Sequence, residues 1–173
     1  MKDRLIILSD LWGKEKADWL TNYTRFLEPE FDIVFYDSCI IGQVDTSDYS
    51  QDHLHQQFLN GGIDLAVEYL VEKEQIPIDI LAFSIGGAIA WKFGLKTGNI
   101  KSLTSVSSTR LRKETKRPKG KIELYFAEKD VHRPSIEWME NMQLDFTILS
   151  NKSHEVYREA EFARDLNKKI SKQ

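Results

Sequence analysis

Six short apolar runs, separated by longer stretches of helical periodicity, constrain the fold of this chain more than any other feature. The runs are Arg4–Leu8, Asp32–Tyr36, Asp79–Phe83, Ser102–Ser107, Ile122–Ala127 and Phe146–Leu149. Several are almost unbroken in Leu, Ile, Val and Phe. Strands of that kind suit a parallel sheet buried on both faces, where the polar–apolar alternation of a half-exposed strand is lost. The intervening segments supply the cover. Glu15–Leu27 places Trp19, Leu20, Tyr23, Phe26 and Leu27 on one side, and Gly62–Glu74, extending back toward His53, groups Leu65, Ala66, Tyr69 and Leu70. Ile85–Lys96 stops at Gly98, Pro134–Asn141 is a short helix with Pro134 in its first turn, and Glu155–Ile170 closes the chain. The expectation is a single-domain, doubly wound, mostly parallel six-stranded α/β sheet over residues 1–173, with helices on both faces.

Ligands of such sheets bind at the carboxyl ends of the strands. The residues found there form a coherent set. Ser9-Asp10-Leu11-Trp12-Gly13 follows the first run and Ser84 the third. Glu128-Lys129-Asp130 follows the fifth run, and Asn151-Lys152-Ser153-His154 the sixth. The segment around Ser84 is the sharpest. Ile-Asp-Ile-Leu-Ala-Phe-Ser-Ile-Gly-Gly-Ala-Ile-Ala, residues 78–90, reads as strand, abrupt turn and helix with serine at the apex. A nucleophile elbow has this layout, with small residues where strand and helix approach. Gly86 fills the second glycine position of G-x-S-x-G, and Ala82 replaces the first.

The residue types match acyl-transfer chemistry. A serine hydroxyl is a poor nucleophile near neutral pH, so a base must take its proton and later return it to the leaving group. His154 is suited to that role, and Asp130 to holding the imidazole in one tautomer. The developing oxyanion needs backbone N–H donors. Ile85 opens a helix and has an amide with no intrahelical partner. The loop after the first strand, at Leu11 or Trp12, is the natural source of the other. Plainer readings exist for each residue. Ser84 also reads as a helix cap, Asp130 as a turn residue, and His154 as a surface residue beside the last helix. Their joint order across separate loops favours the chemical reading.

These segments resemble those of the α/β-hydrolase superfamily, in which nucleophile, acid and histidine follow in that order. Within it they resemble the dienelactone-hydrolase-like branch. Asp10-Leu11-Trp12-Gly13 is similar to that branch's acidic-aliphatic-aromatic-Gly loop, and Ala82 to Ala88 to its elbow. Ala127-Glu128-Lys129-Asp130 with Pro134 is similar to its acid loop, and Ser153-His154 to its histidine turn. The resemblance implies a serine esterase or thioesterase with Ser84, Asp130 and His154 as catalytic residues. It also implies oxyanion donors at Leu11 and Ile85, Trp12 as a wall for a small-molecule acyl substrate, and no cofactor. Dienelactone hydrolase itself has cysteine at the position of Ser84. The chain also looks shorter than most relatives, with little room for a lid.

Composition narrows the alternatives. The hydrophobic fraction is 41% and the charged fraction 29%, as in ordinary globular proteins. A net charge of -3 argues against nucleic acid as a partner. No apolar run approaches the ~20 residues of a membrane-spanning helix, and the amino terminus lacks a signal-peptide pattern. Cys39 is the only cysteine, which fits a reducing, cytoplasmic setting. Cysteine and the four histidines show no metal-ligand spacing, so no metal is expected. The basic segment Arg110–Lys121 reads as a solvated, mobile loop or, alternatively, as an attractor of anionic substrate. Ser38–Gln57 reads as a polar flap, His132 as a rival base, and Trp91 and Trp138 as core or pocket. Two further functional classes stay open: a non-catalytic binding or regulatory module on the same fold, and an acyltransferase. Oligomeric state is not legible.

Overall fold

The computed structural model describes residues 2–172. Its six strands are β1 (Asp3–Leu8), β2 (Phe31–Tyr36), β3 (Ile78–Phe83), β4 (Ile100–Val106), β5 (Lys121–Ala127) and β6 (Asp145–Leu149). All neighbouring pairs are parallel, in the order β2-β1-β3-β4-β5-β6. The chain therefore runs outward from β1 to β2 and returns to β3 on β1's other side. That reversal is the topological switch point where open α/β sheets form their crevice. Each predicted strand is present, and all begin a residue or two earlier than the apolar runs suggested.

Alternate residues of each strand enter different cores, which is why the strands read as unbroken apolar runs. Leu5, Ile7, Leu81, Phe83 and Tyr125 face one core with Trp19, Tyr23, Tyr157 and Leu166. Ile6, Leu8, Ile80, Ala82, Leu124 and Phe126 face the other with Phe58, Ala66, Leu70, Ile89 and Trp91. Helices α1 (Thr21–Leu27) and α7 (Ala160–Ile170) cover the first face. Helices α4 (Ile63–Lys73) and α5 (Ile85–Thr97) cover the second. Two short helices, α2 (Ser38–Ile41) and α3 (Gln51–Gln57), precede α4, and α6 (Ile136–Asn141) precedes β6. Among the described residues no helix is long and apolar enough to cross a membrane.

Several helical expectations need correction. Glu15–Leu27 is not one helix: 3₁₀ turns at Lys14–Lys16 and Asp18–Leu20 precede α1. Phe26 is exposed rather than packed with Trp19 and Tyr23, because the shortened helix turns it outward. Leu65 and Tyr69 are likewise exposed, while Ala66 and Leu70 carry the packing of α4. The extension toward His53 exists but breaks at Asn60 and Gly61, where the dihedrals leave the helical region. Glu155–Ile170 divides into a 3₁₀ turn, His154–Arg158, and α7. Helix α6 starts after Pro134, with the Ser135 hydroxyl accepting from the Trp138 N–H. The Ser38–Gln57 segment carries α2 and α3 rather than forming a bare loop. Arg110–Lys121 is not free either: Leu111 is fully buried, and the Trp91 and Trp138 indole N–H groups donate to the Lys116 and Glu114 carbonyls. Apolar anchoring outweighs the charge run there.

Candidate active site

Ser84 sits between β3 and α5 with φ 50° and ψ -117°. A non-glycine residue at positive φ is strained, and such strain concentrates at functional sites. The turn is possible because α5 approaches the β1 end closely. A Cβ on Gly86 would meet the Ser9 carbonyl oxygen at 2.6 Å, so only glycine allows the contact. Ala82 at the other small position is fully buried. Ser84 occupies the N-cap position of α5 but its side chain makes no capping bond. The hydroxyl is turned instead to His154 Nε2, at 3.0 Å. That geometry rules out the reading of Ser84 as a simple helix cap.

His154 Nδ1 lies 2.5 Å from Asp130 Oδ2. The three side chains thus form one continuous relay drawn from the ends of β3, β5 and β6. A single tautomer satisfies it: Nδ1–H donates to Asp130, and Nε2 accepts from Ser84. The Asp130 carboxylate is almost fully buried, whereas the imidazole is 38% exposed. Burial alone would push the Asp130 carboxyl up. The hydrogen bond and charge of His154, with help from His132, outweigh that and hold it below the ordinary carboxylate value. His132 touches the relay only through its backbone N–H, which donates to Asp130 Oδ1 at 3.2 Å. It is not placed as a base.

The loops are laced together by backbone bonds. Glu128 and Lys129 N–H groups donate to the Leu149 and Lys152 carbonyls at 3.0 Å each. The Ser107 hydroxyl donates to the His154 carbonyl at 2.6 Å. These contacts fix the acid loop and the histidine turn relative to β4.

The loop after β1 is held even more firmly. Ser9 and Ser38 exchange two hydrogen bonds, of 2.8 and 2.7 Å. Asp37 accepts from the Lys14 N–H at 2.8 Å and also caps α2. The Cys39 thiol donates to the Leu11 carbonyl at 3.0 Å, and the Tyr49 hydroxyl donates to the Trp12 carbonyl. Among the described residues, neither the Leu11 nor the Ile85 N–H has a protein acceptor. Both amides are therefore free to meet a bound group. Trp12 is half-buried beside them, edge-on to Tyr49 at 5.4 Å. Trp91 belongs to the core, and Trp138 packs against it at 5.9 Å.

Sequence reasoning placed Asp10 in the loop after the first strand without giving it a role, and it missed Tyr157 and Arg158. The buried Asp10 carboxylate accepts from the Trp12 N–H at 3.0 Å, the Tyr157 hydroxyl at 2.9 Å and Arg158 at 3.3 Å. Burial pushes its carboxyl above the ordinary value, and the three donors offset only part of that. A carboxylate immediately after a buried apolar strand was the available signal. Its partners lie in the histidine turn and could not be paired from one sequence.

Two cavities bear on ligand placement. One, of about 440 Å³, lies at the amino ends of the strands, against Asp3, Phe31, Asp79 and Lys101. It is at the wrong end of the sheet for Ser84. The other, of about 500 Å³, lies at the carboxyl end and is bordered by Trp12 and Tyr49. Among the described residues, no group of His, Cys, Asp and Glu side chains is arranged to hold a metal ion.

No family model matches the sequence, and neither does any curated protein sequence. Solved structures do match. A protein of the α/β-hydrolase superfamily from Xanthomonas campestris pv. campestris superimposes with a TM-score of 0.73 and 14% identity, over 99% of this chain and 100% of its own. A CIB-like hydrolase from Thermoplasma acidophilum gives 0.65 and 20%, over 98% and 87%. A lidless serine hydrolase, also from Xanthomonas campestris, gives 0.62 and 15%, over 99% and 83%. With an all-parallel six-stranded sheet in this order and helices on both faces, the chain has the α/β-hydrolase fold.

Proposed function

We propose that the protein is a serine hydrolase that cleaves a carboxylic ester or thioester through an acyl-Ser84 intermediate. The observation that carries this is the unbroken Ser84–His154–Asp130 relay, in which the serine hydroxyl is spared from capping its helix.

In the first step His154 Nε2 takes the Ser84 proton as Oγ attacks the acyl carbon. Asp130 stabilises the imidazolium, to which its position on Nδ1 is suited. The Leu11 and Ile85 N–H groups receive the oxyanion. Each such donor is worth roughly 3 kcal/mol of barrier, because it is fixed before charge develops. His154 then protonates the leaving alcohol or thiol. In the second step it activates a water that releases the acid from Ser84. The partial exposure of the imidazole supports hydrolysis over acyl transfer, since solvent has access to the base.

The finer assignment, to the dienelactone-hydrolase-like branch, rests on four segments: Asp10 to Gly13, the elbow Ala82 to Ala88, the acid loop Ala127 to Asp130 with Pro134, and Ser153-His154. In the first of these the Asp10 carboxylate is turned toward Tyr157 and Arg158, and the elbow carries serine in place of cysteine. Ordinary serine esterase chemistry is the better-supported form.

The test is hydrolysis of 4-nitrophenyl acetate by wild type and Ser84→Ala. Turnover by wild type that falls to background in the variant supports the proposal. Equal rates in both would remove Ser84 from the chemistry.

A further inference from the structure

We propose that Arg110, with Arg112 and His55 beside it, holds an anionic group of the substrate at the mouth of the Ser84 site. The inference rests on the hydrolase reading and deepens it.

The turn that carries the two arginines is built against the nucleophile. The Ser84 N–H donates to the carbonyl of Val106, the last residue of β4, at 2.9 Å. Ser107 follows, and its hydroxyl holds the His154 carbonyl. Ser108 then lies on the first turn of α5, so closely that a Cβ on Gly87 would collide with its hydroxyl. A 3₁₀ turn, Thr109–Lys113, continues from there, with Leu111 fully buried in the core shared with α4 and α5. Arg110 thus follows directly on the segment that touches both Ser84 and His154. Helix α3 reaches the same place from the other side of β3. It comes just after Tyr49, whose hydroxyl donates to the Trp12 carbonyl. Its His55 feels the charges of both Arg110 and Arg112. The three side chains therefore meet across the carboxyl end of β3, above the elbow.

Nothing in the protein neutralises these cations. Residues 110–121 hold seven Lys and Arg and a single acid, Glu114, which pairs instead with Lys92 at 3.5 Å. Arg110 is half-buried, yet among the described residues its guanidinium has no hydrogen-bond acceptor and no carboxylate partner. Arg112 donates only to the Thr109 carbonyl of its own turn, at 2.8 Å. At His55, burial first and then the two arginines hold the imidazole below its ordinary value, and Asp52 opposes them only in part. A planar guanidinium with free donors matches an oxyanion through two parallel bonds. The turn is also set before any ligand arrives. The Thr109, Leu111 and Glu114 N–H groups donate to the Ser107, Ser108 and Leu111 carbonyls at 2.9, 3.1 and 2.9 Å. The later cations run away from the site along α5. Pro118 packs at Gly94, so Lys119 lies near the far end of that helix.

Two pairs of esters test the subsite, with the charge on either side of the scissile bond. On the acyl side they are the 4-nitrophenyl mono-ester of hexanedioate and 4-nitrophenyl hexanoate. On the leaving side they are 4-acetoxybenzoate and 4-acetoxybenzamide. The readout is the ratio of kcat/KM for the charged ester over the neutral one. In at least one pair it should fall about tenfold or more from wild type to Arg110→Gln, the loss of a charge-assisted bond. The pair that responds tells which side of the ester carries the anion. Arg112→Gln should lower the same ratio by less, and Arg110→Lys should recover part of it. Lys119→Gln removes an equal charge at the far end of α5 and should leave the ratio at its wild-type value. Arg110 makes no bond to the protein, so its replacement spares folding. A ratio that Arg110→Gln leaves unchanged in both pairs, or that Lys119→Gln lowers as much, would overturn the subsite and leave the hydrolase reading intact. No Ser84-dependent turnover of any ester would overturn the hydrolase reading, and this inference with it.

Discussion

The Asp10 carboxylate accepts a hydrogen bond from the Tyr157 hydroxyl at 2.9 Å, joining residues 147 positions apart. Through the Trp12 N–H the same carboxylate holds the loop that carries Leu11. Tyr157 stands three residues after His154, in the same 3₁₀ turn. One buried group thus sets the distance between the proposed oxyanion donor and the proposed base. Displacements of about 1 Å in such arrangements can cost ~10²-fold in rate.

Asp10→Asn should therefore lower kcat by about tenfold or more, with a smaller change in KM. Its effect on stability has a definite sign. Burial raises the Asp10 carboxyl in the folded state. For an acid shifted upward, the charged form is the unfavourable one, so stability declines as pH rises through the folded value. Asparagine removes that charge but supplies only one acceptor oxygen, so either the Trp12 N–H or the Tyr157 and Arg158 donors then face its amide. Both the melting temperature and kcat should fall, and the loss of stability should be larger below the folded carboxyl's value than above it. Thermal unfolding and steady-state kinetics on the same preparations check both halves.

Asp130 has the opposite sign. Its carboxyl is held below the ordinary value of about 3.9, so its contribution to stability is present above that pH. That contribution is lost as pH falls through the lower folded value. As pH falls below about 4, wild type should lose more unfolding free energy than Asp130→Asn does, as measured by urea titration. At neutral pH the same variant should retain its fold and lose about 10⁴ in kcat, because the imidazole tautomer is no longer enforced.

Gly86→Ala tests the close approach of α5 to β1. The new methyl would meet the Ser9 and Leu8 carbonyl oxygens at 2.6 and 2.8 Å. Relief requires moving either the helix or the strand end, at about 1–3 kcal/mol. The shift also displaces the Ile85 N–H relative to Leu11. Both the melting temperature and kcat should drop, and substrate binding should change less.

Phe83 tests the core beneath the elbow. It is fully buried, with Trp19 at 4.8 Å, Tyr23 at 4.9 Å and Tyr157 at 5.4 Å between ring centres. Phe83→Ala should cost about 3–5 kcal/mol of stability in denaturant titration, as for other buried aromatic truncations.

Much of this fold was legible because its strands are buried on both faces, and unbroken apolar runs survive averaging over loops. The Ser84 turn was legible for a local reason: only small residues at 82 and 86 permit it. The helices were read less well. Phe26, Leu65 and Tyr69 obeyed the helical period but lie on the solvent side, because apolar spacing does not reveal where a helix breaks. Arg110–Lys121 misled through charge, since one buried leucine and two indole bonds decide its conformation. Asp10 could not be assigned a partner in advance, because Tyr157 and Arg158 reach it only after the sheet has assembled. Pairings across so many residues belong to tertiary structure alone.

The central claim is that Ser84 is an activated nucleophile. Intact-protein mass after treatment with a fluorophosphonate tests it most directly, on wild type and Ser84→Ala. The account predicts one adduct on wild type and none on the variant. Folded wild type that gains no adduct, or a Ser84→Ala protein that gains the same one, would contradict it.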